Sequence, residues 1–149
     1  MKVCFDTCVI IDLLGKTKDC FNALTSLDIT YSLNFQPYCS VSSTTDIAHL
    51  MHSRGFATTR QQAAKSIENV LNLFTLLDNT EADVRRAISS DMKDYEDALI
   101  AYSCERAGVD IIVTRNKKDF RHSPVPALMP EEFIDAYKPD GYVYEEVLL

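Results

Sequence analysis

The sequence predicts a single α/β domain with a central parallel sheet of about four to five short strands, flanked by helices on both faces. The chain has 149 residues, which is enough for one continuous core but short for two domains. Short apolar segments alternate along it with longer segments of helical periodicity. Strands separated by helices run parallel through right-handed crossovers, and the helices then cover both sheet faces.

The first half of the chain is predicted to contain two strands and four helices. The first helix is expected to stop at Gly15. Thr58 or Thr59 is expected to cap the fourth and longest helix, whose apolar residues recur at the spacing of an amphipathic helix. The predicted order is a strand at 2–5, a helix at 7–14, a helix at about 19–33, a strand at 38–41, a helix from 42 to 55 and the capped helix.

The second half is predicted to add two strands and three helices. Acidic residues in the first turn, Glu81 and Asp83, favour a helix at 80–90 because they interact well with the helix dipole. Pro130 suits the first turn of the last helix. The predicted order is a strand at 74–77, a helix at 80–90, a helix at 94–107 ended by Gly108, a strand at 110–114 and a helix at 130–137.

Composition excludes several classes of protein. Hydrophobic residues make up 46% and charged residues 25% of the chain, as in an average globular protein, so disordered and fibrous classes are excluded. The apolar runs are too short to span a membrane and the start of the chain does not resemble a signal peptide, so we expect a cytoplasmic protein without a membrane partner. The net charge of −7 argues against a protein that coats nucleic acid nonspecifically.

The five cysteines are expected to be reduced and chemically inert. Their number is odd, their spacing contains no C-x-x-C, and none pairs with a histidine at zinc-finger spacing. Several have apolar neighbours, where a free thiol behaves as a small hydrophobic side chain.

Acidic residues recur where the predicted strands end. Asp6 follows the first strand, Asp46 lies in the helix after the second, and Asp119 follows the last, with Asn116 close by. Asp97 lies in the first turn of the helix before that last strand. Each also has a local interpretation, because aspartate and asparagine are leading helix-cap and turn residues. Asp6 or Thr7 could cap a helix, and the segments 43–46 and 94–97 resemble capping boxes.

Their joint placement favours a shared site. The carboxyl ends of parallel strands meet in a crevice where ligands bind, and both Asp6 and Asp119 should reach it. Asp97 shares a helix face with Ile100, Ala101 and Cys104, which should be the buried face. An inward carboxylate without a cationic partner is costly, and no Lys or Arg lies within one turn on that face.

A divalent cation would offset this charge. Oxygen-only ligands select hard cations, and a site that keeps several waters suits Mg²⁺ or Mn²⁺. The histidines do not offer a competing zinc site, since His49 and His52 lack the H-E-x-x-H pattern and His122 stands alone.

A basic segment near the last strand suggests the substrate. Arg115, Lys117, Lys118 and Arg121 fall within seven residues. One interpretation is an ordinary solvated loop, and the other is a phosphate clamp beside the cation, with Arg115 or Lys117 neutralising a nonbridging oxygen.

Two segments of the chain resemble the PIN-domain family, over residues 1–137 in order and spacing. They are 3–14, with Asp6-Thr7 after a strand, and the more specific run 94–120, with Asp97 and Thr114-Arg115-Asn116-Lys117-Lys118-Asp119. The resemblance divides the chain into a PIN-like domain at 1–138 and an acidic, aromatic tail at 139–149. It implies a Mg²⁺- or Mn²⁺-dependent endoribonuclease, and many bacterial members resemble VapC-type toxins of toxin–antitoxin pairs.

The resemblance also implies roles for individual residues. Asp6, Asp97 and Asp119 match metal-ligating acids, and Thr7 and Thr114 match hydroxyl positions near the site. The second acid of the family is usually a glutamate, and Asp46 stands closest to its position. The predicted catalytic residues are Asp6, Asp46, Asp97 and Asp119, the predicted metal ligands are Asp6, Asp97 and Asp119, and the predicted substrate-binding residues are Thr7, Thr114, Arg115, Asn116 and Lys117. Expected partners are an RNA substrate, an antitoxin protein and a second copy of the chain in a homodimer.

Two other functions fit parts of the pattern. A PIN-like scaffold that binds RNA or protein without cutting is suggested by Asp46 in place of glutamate and by the acidic charge. A phosphatase with Asp6 as nucleophile would need an acid two residues on, where this chain has Cys8. Metal titration separates the first alternative from a nuclease.

Overall fold

The computed structural model describes residues 1–143 of the chain and contains a five-stranded sheet in the order β3-β2-β1-β4-β5. Every pairing between neighbouring strands is parallel. The predicted α/β class with a parallel sheet of four to five strands is therefore confirmed. The strands are β1 (Lys2–Phe5), β2 (Gln36–Ser40), β3 (Thr75–Leu77), β4 (Ile111–Val113) and β5 (Ala127–Leu128).

Seven helices surround the sheet within the described residues. Their bounds are α1 (Thr7–Gly15), α2 (Cys20–Ser32), α3 (Val41–Ser53), α4 (Arg60–Leu73), α5 (Glu81–Ile88), α6 (Tyr95–Arg106) and α7 (Pro130–Tyr137). No helix in residues 1–143 is both long enough and apolar enough to cross a membrane. All five cysteines are free thiols.

The alternation of side chains along the strands divides the core into two layers. In β1, Val3 and Phe5 pack in the larger layer with side chains from α1, α2, α3, α4 and α7. Cys4, on the opposite face, packs in the smaller layer with α5 and α6. All three side chains are buried, because helices cover both faces of a parallel sheet.

Three local features differ from the sequence prediction. Strand β2 starts at Gln36 rather than at 38, because Pro37 is accommodated near its start and pairs with Val3. Strand β5 and a 3₁₀ helix at Lys117–Phe120 were not predicted, since two and four residues are too few to show a period. The predicted C-terminal tail at 139–149 is only partly covered, since the structure describes it as far as Val143 and residues 144–149 lie outside the described residues.

Asn79 links the start of α3 to α6. The side chain of Ser40 makes no capping bond, and instead Asn79 Oδ1 accepts a hydrogen bond from the Ser42 N–H at 3.1 Å. Asn79 Nδ2 donates to Ser103 Oγ at 2.8 Å. This amide therefore fixes the entry of the helix that carries Asp46.

Replacing Asn79 by alanine is expected to lower the free energy of unfolding by about 1–3 kcal/mol, because it leaves part-buried polar groups without partners. Urea denaturation of the variant and the parent measures this difference. Asn72→Ala, at an exposed position in α4, is the matched control and should change stability by at most about 0.5 kcal/mol. Equal losses in the two variants would contradict the linking role of Asn79.

Candidate metal-binding active site

An acidic cavity of about 550 Å³ lies at the carboxyl edge of the sheet. It is lined by residues from the end of β1, from α1, from α3, from the start of α6 and from the segment after β4. The lining residues are Asp6, Thr7, Cys8, Ile11, Asp46, His49, Leu50, Arg54, Asp94, Glu96, Asp97, Arg115, Asn116 and Asp119. All four predicted catalytic acids therefore line one cavity, although they are far apart in the sequence.

Asp6 is the most deeply buried of these acids, with 3% of its surface exposed. Its carboxylate caps α1 through the Thr7 N–H at 2.7 Å, so the local capping interpretation also holds. Thr114 Oγ1 donates to Asp6 Oδ2 at 2.7 Å, and Cys8 Sγ donates to the same oxygen at 3.1 Å. Burial raises the pKa of Asp6, and these hydrogen bonds partly oppose the rise.

Cys8 serves this arrangement as a donor. Burial, followed by the charge of Asp6, raises the pKa of its thiol to about 12, so the sulfur stays protonated near neutral pH. The structure places Thr114 beneath the cavity, where it is fully buried and contacts Asp6 rather than the open space.

Asp97 is half-buried and follows the helix cap Asp94, whose Oδ1 accepts from the Asp97 N–H at 3.1 Å. Because Asp94 makes the cap, the Asp97 carboxyl is left to line the cavity. Burial raises the pKa of Asp97 to about 7, and the charges of Asp6, Asp94, Asp119 and Glu96 add to the rise. This is the effect expected of carboxylates that share a confined space.

Glu96 is a site residue that the sequence analysis missed. Burial, followed by a hydrogen bond with the carboxyl of Asp46 and the charge of that group, raises the pKa of Glu96 to about 7. Thr7 Oγ1 donates to Glu96 Oε1 at 3.4 Å. Its place beside Asp97 in the first turn of α6 was the available signal, but a first-turn glutamate is also the ordinary complement of a helix dipole.

Asp46 lies beyond the first turn of α3, so the capping-box interpretation of 43–46 is wrong. Helix α3 begins at Val41, one turn earlier than that interpretation required, and turns Asp46 towards the cavity and Glu96. His49, on the same helix, and Arg54, the residue that follows its end, also line the cavity and are exposed.

Asp119 and Asn116 come from the 3₁₀ helix that follows β4 and its N-cap. The Asp119 N–H donates to the Asn116 carbonyl at 2.8 Å, so the backbone turn brings both side chains to the cavity. Asn116 is exposed at the rim, and its N–H donates to Thr114 Oγ1 at 3.0 Å. Asp119 is half-buried.

Two of the four basic residues predicted as a phosphate clamp, Arg115 and Lys117, are held by acids of the protein. Arg115 lines the cavity, but its Nε lies 2.6 Å from Oδ2 of Asp12, which is buried, and its Nη1 lies 3.3 Å from Asp19 Oδ2. Lys117 is outside the cavity lining, and its Nζ donates to Glu132 at 2.8 Å. Their predicted contacts with substrate stay predictions.

The chemistry of the donors suits a hard divalent cation. The cavity gathers six carboxyl groups, which are Asp6, Asp46, Asp94, Glu96, Asp97 and Asp119. In residues 1–143, no three His, Cys, Asp or Glu side chains stand close enough together to ligate one ion. The fit therefore rests on donor type and on the raised pKa values of Asp6, Glu96 and Asp97, which a nearby cation would lower.

Comparison with known proteins agrees with this architecture. A family model described as PIN domain matches residues 2–118, which include Asp6, Asp46 and Asp97 and end one residue before Asp119. Comparison with curated proteins yields no matching relative.

Solved structures share the fold at low sequence identity. VapBC2 from Rickettsia felis, bound to a DNA fragment from its promoter, has a TM-score of 0.67 and 14% identity, and the match covers 87% of this chain and 98% of that chain. FitAcB from Neisseria gonorrhoeae has a TM-score of 0.64 and 17% identity, with 87% and 98% covered. VapC20 from Mycobacterium tuberculosis, a toxin that cleaves the sarcin–ricin loop, has a TM-score of 0.58 and 12% identity, with 74% and 86% covered.

Proposed function

The chain belongs to the PIN-domain family, and on this basis we propose that it is a divalent-metal-dependent endoribonuclease, the toxin of a toxin–antitoxin pair. PIN domains are a nuclease family, and the similar VapC20 is described as cleaving the sarcin–ricin loop, an RNA. The proposal concerns the acidic cavity at the carboxyl edge of the sheet.

The observation that carries the proposal is the concentration of carboxyl groups in that cavity. Six of them come from β1, α3, α6 and the segment after β4. Burial and mutual repulsion raise the pKa values of Glu96 and Asp97 to about 7, which makes the folded apo site costly near neutral pH. Titratable groups with strongly shifted pKa values in a cleft are characteristic of functional sites, and a bound cation would stabilise the ionised form of these carboxyls.

In this proposal Asp6, Asp97 and Asp119 would hold Mg²⁺ or Mn²⁺ partly through the waters that such an ion keeps, because within residues 1–143 no three acids stand close enough to ligate one ion directly. Asp46 would complete the catalytic set, with Glu96 beside it. When bound, such a cation makes a nearby water more acidic and stabilises charge on the leaving oxygen of a phosphodiester. The carboxylate of Asp6 is held in one orientation by Thr114, Cys8 and the Thr7 N–H. Glu96, beside Asp46, can accept or return a proton at its carboxyl oxygens, because its pKa is raised to about 7.

The residues at the rim contribute to substrate binding. Asn116 is exposed there and offers an amide to a phosphate oxygen or a base edge. Thr7 and Thr114 act by positioning Glu96 and Asp6, since their hydroxyl groups bond to these acids. Arg115 lowers the negative potential around Asp6, although its guanidinium is paired with Asp12.

An antitoxin partner is part of the same proposal. The similar structures from Rickettsia felis and Klebsiella pneumoniae are described as VapBC2 and as a toxin–antitoxin complex. We propose that this chain likewise pairs with an antitoxin, forms a homodimer and acts on RNA in the cytoplasm.

The test is cleavage of a 5′-labelled single-stranded RNA by the purified protein. Cleavage is expected in Mg²⁺ or Mn²⁺ and absent in EDTA, with products that carry 5′-phosphate and 3′-hydroxyl ends, because a water attacks the phosphorus and the 3′-oxygen leaves. Ligation of the products and sensitivity to phosphatase identify these ends. Undiminished cleavage in EDTA would overturn the metal-dependent mechanism. RNA binding without cleavage in any metal would favour the scaffold.

A further inference from the structure

A second pocket, of about 230 Å³, adjoins the acidic cavity and has the opposite charge. It is lined by Lys93, Lys118, Arg121 and His122, together with Asp119. Asp119 lines both spaces, so the two are contiguous. The name "basic pocket" is used below for these five residues.

The basic pocket is built from two anchored segments. Lys93 follows Met92, which is 8% exposed, and the other basic residues flank Phe120, which is 4% exposed. Met92 and Phe120 belong to the same layer of the core. The Ser123 N–H donates to the Phe120 carbonyl at 2.9 Å, which closes the turn after the 3₁₀ helix. The backbone that carries the charges is therefore held on both sides.

The cations of the basic pocket have no acidic partner in the part of the chain described. Arg115 and Lys117, three residues and one residue before Lys118 in the same segment, are paired with Asp12 and Glu132. Lys93, Lys118 and Arg121 form no ion pair within residues 1–143 and are exposed. Their charges remain available for a ligand.

We infer that the basic pocket binds a phosphate group of the RNA strand next to the one that is cleaved. This inference rests on the proposed nuclease function and identifies where the strand is held. A protein of net charge −7 with six carboxyls in its cavity repels a polyanion, so the attraction must come from local cations such as these, which form no ion pair within residues 1–143. Because Asp119 lines both spaces, those cations lie next to the acidic cavity, where the strand would bring the phosphate that neighbours the reacting one.

The first test is binding of a fluorescent single-stranded oligouridylate in EDTA, where proposed cleavage cannot intervene. Lys118→Gln/Arg121→Gln is expected to bind about tenfold more weakly than the parent. Each lost phosphate contact should make the negative slope of log K against log salt shallower by about 0.7. Arg60→Gln/Lys65→Gln removes two exposed charges from α4, outside both pockets, and should leave affinity and slope unchanged. Parental affinity and slope in the Lys118/Arg121 double variant would overturn the inference, as would absence of RNA binding by the parent.

The second test separates this inference from the proposed function. In Mn²⁺ the Lys118→Gln/Arg121→Gln variant should raise KM for RNA about tenfold with little change in kcat, because it lacks binding groups and keeps all six carboxyls. Calorimetric titration with Mn²⁺ alone should give the parental affinity. A parent that neither binds Mn²⁺ nor cleaves refutes the nuclease, while weakened RNA binding by the variant would still support the pocket. If Lys117→Gln lost more RNA affinity than Lys118→Gln, the phosphate contact would belong to Lys117, and the inference would be overturned.

Discussion

Replacing Asp97 with asparagine is expected to reduce RNA cleavage at least about a thousandfold, because it removes a charged oxygen donor from the lining of the acidic cavity. Asp97 is influenced by the charges of Asp6, Asp119 and Glu96, so it lies among the other acids of the site. The change is nearly isosteric, and the backbone bond from the Asp97 N–H to Asp94 is kept. Initial rates in saturating Mn²⁺ measure the effect, and calorimetry should show weaker Mn²⁺ binding.

Asp135→Asn is the matched control for this substitution. Asp135 is an exposed aspartate on α7 and lines neither pocket, so its replacement changes net charge by the same amount without touching the site. Parental activity is expected for this variant. If Asp97→Asn cleaves RNA as fast as Asp135→Asn does, the acidic cavity is not the catalytic site.

Much of the site could be predicted because it follows from topology. Asp6 directly follows β1, and Asp119 comes soon after β4, which is the immediate neighbour of β1 in the sheet. Parallel strands place such residues at one edge, whatever their separation in sequence. Asp97 was predicted from helix periodicity, since Ile100, Ala101 and Cys104 on its face are all fully buried.

What could not be predicted depends on long-range pairing between side chains. Arg115 and Lys117 look like free cations in the sequence, and nothing in the local pattern indicates that Asp12 and Glu132 reach them. The same applies to Lys93, which a different segment brings next to Lys118 and Arg121. Glu96 was missed because a first-turn glutamate is also the ordinary complement of a helix dipole, and because its partner Asp46 comes from a different helix.

In a chelator, raising the pH from about 5 to about 8 is expected to stabilise Asp97→Asn relative to the parent. The difference between their free energies of unfolding should change by about 2 kcal/mol in favour of the variant over this range. The reason is that burial, followed by the charges of Asp6, Asp94, Asp119 and Glu96, raises the folded-state pKa of Asp97 from its ordinary 3.8 to about 7. The magnitude allows for screening by water, because Asp97 is only half-buried. Urea denaturation of both proteins across this pH range measures the difference.

The sign follows from proton binding. Between about pH 4 and about pH 7 the folded parent binds a proton at Asp97 that the unfolded chain has already released, so the free energy of unfolding falls as pH rises. Above the folded pKa both states are ionised, and the loss is complete. Asparagine does not titrate, so this pH-dependent decrease in the free energy of unfolding is absent from the variant. A difference that stays constant with pH, or that grows in favour of the parent, would contradict the raised pKa.

Saturating Mn²⁺ should reverse the order of stability near pH 8. A ligand at about a hundred times its dissociation constant stabilises the folded state by about 2.7 kcal/mol, and only the protein that binds it well benefits. The parent should therefore become the more stable protein in Mn²⁺, while Asp97→Asn gains little. Asp135→Asn should follow the parent both in chelator and in metal, because Asp135 is exposed and does not line the acidic cavity. Such a reversal distinguishes a cation-binding acidic site from a cluster of acids that repel one another without binding metal. Only a cation-binding site regains in metal the stability that repulsion between its carboxylates costs in the chelator.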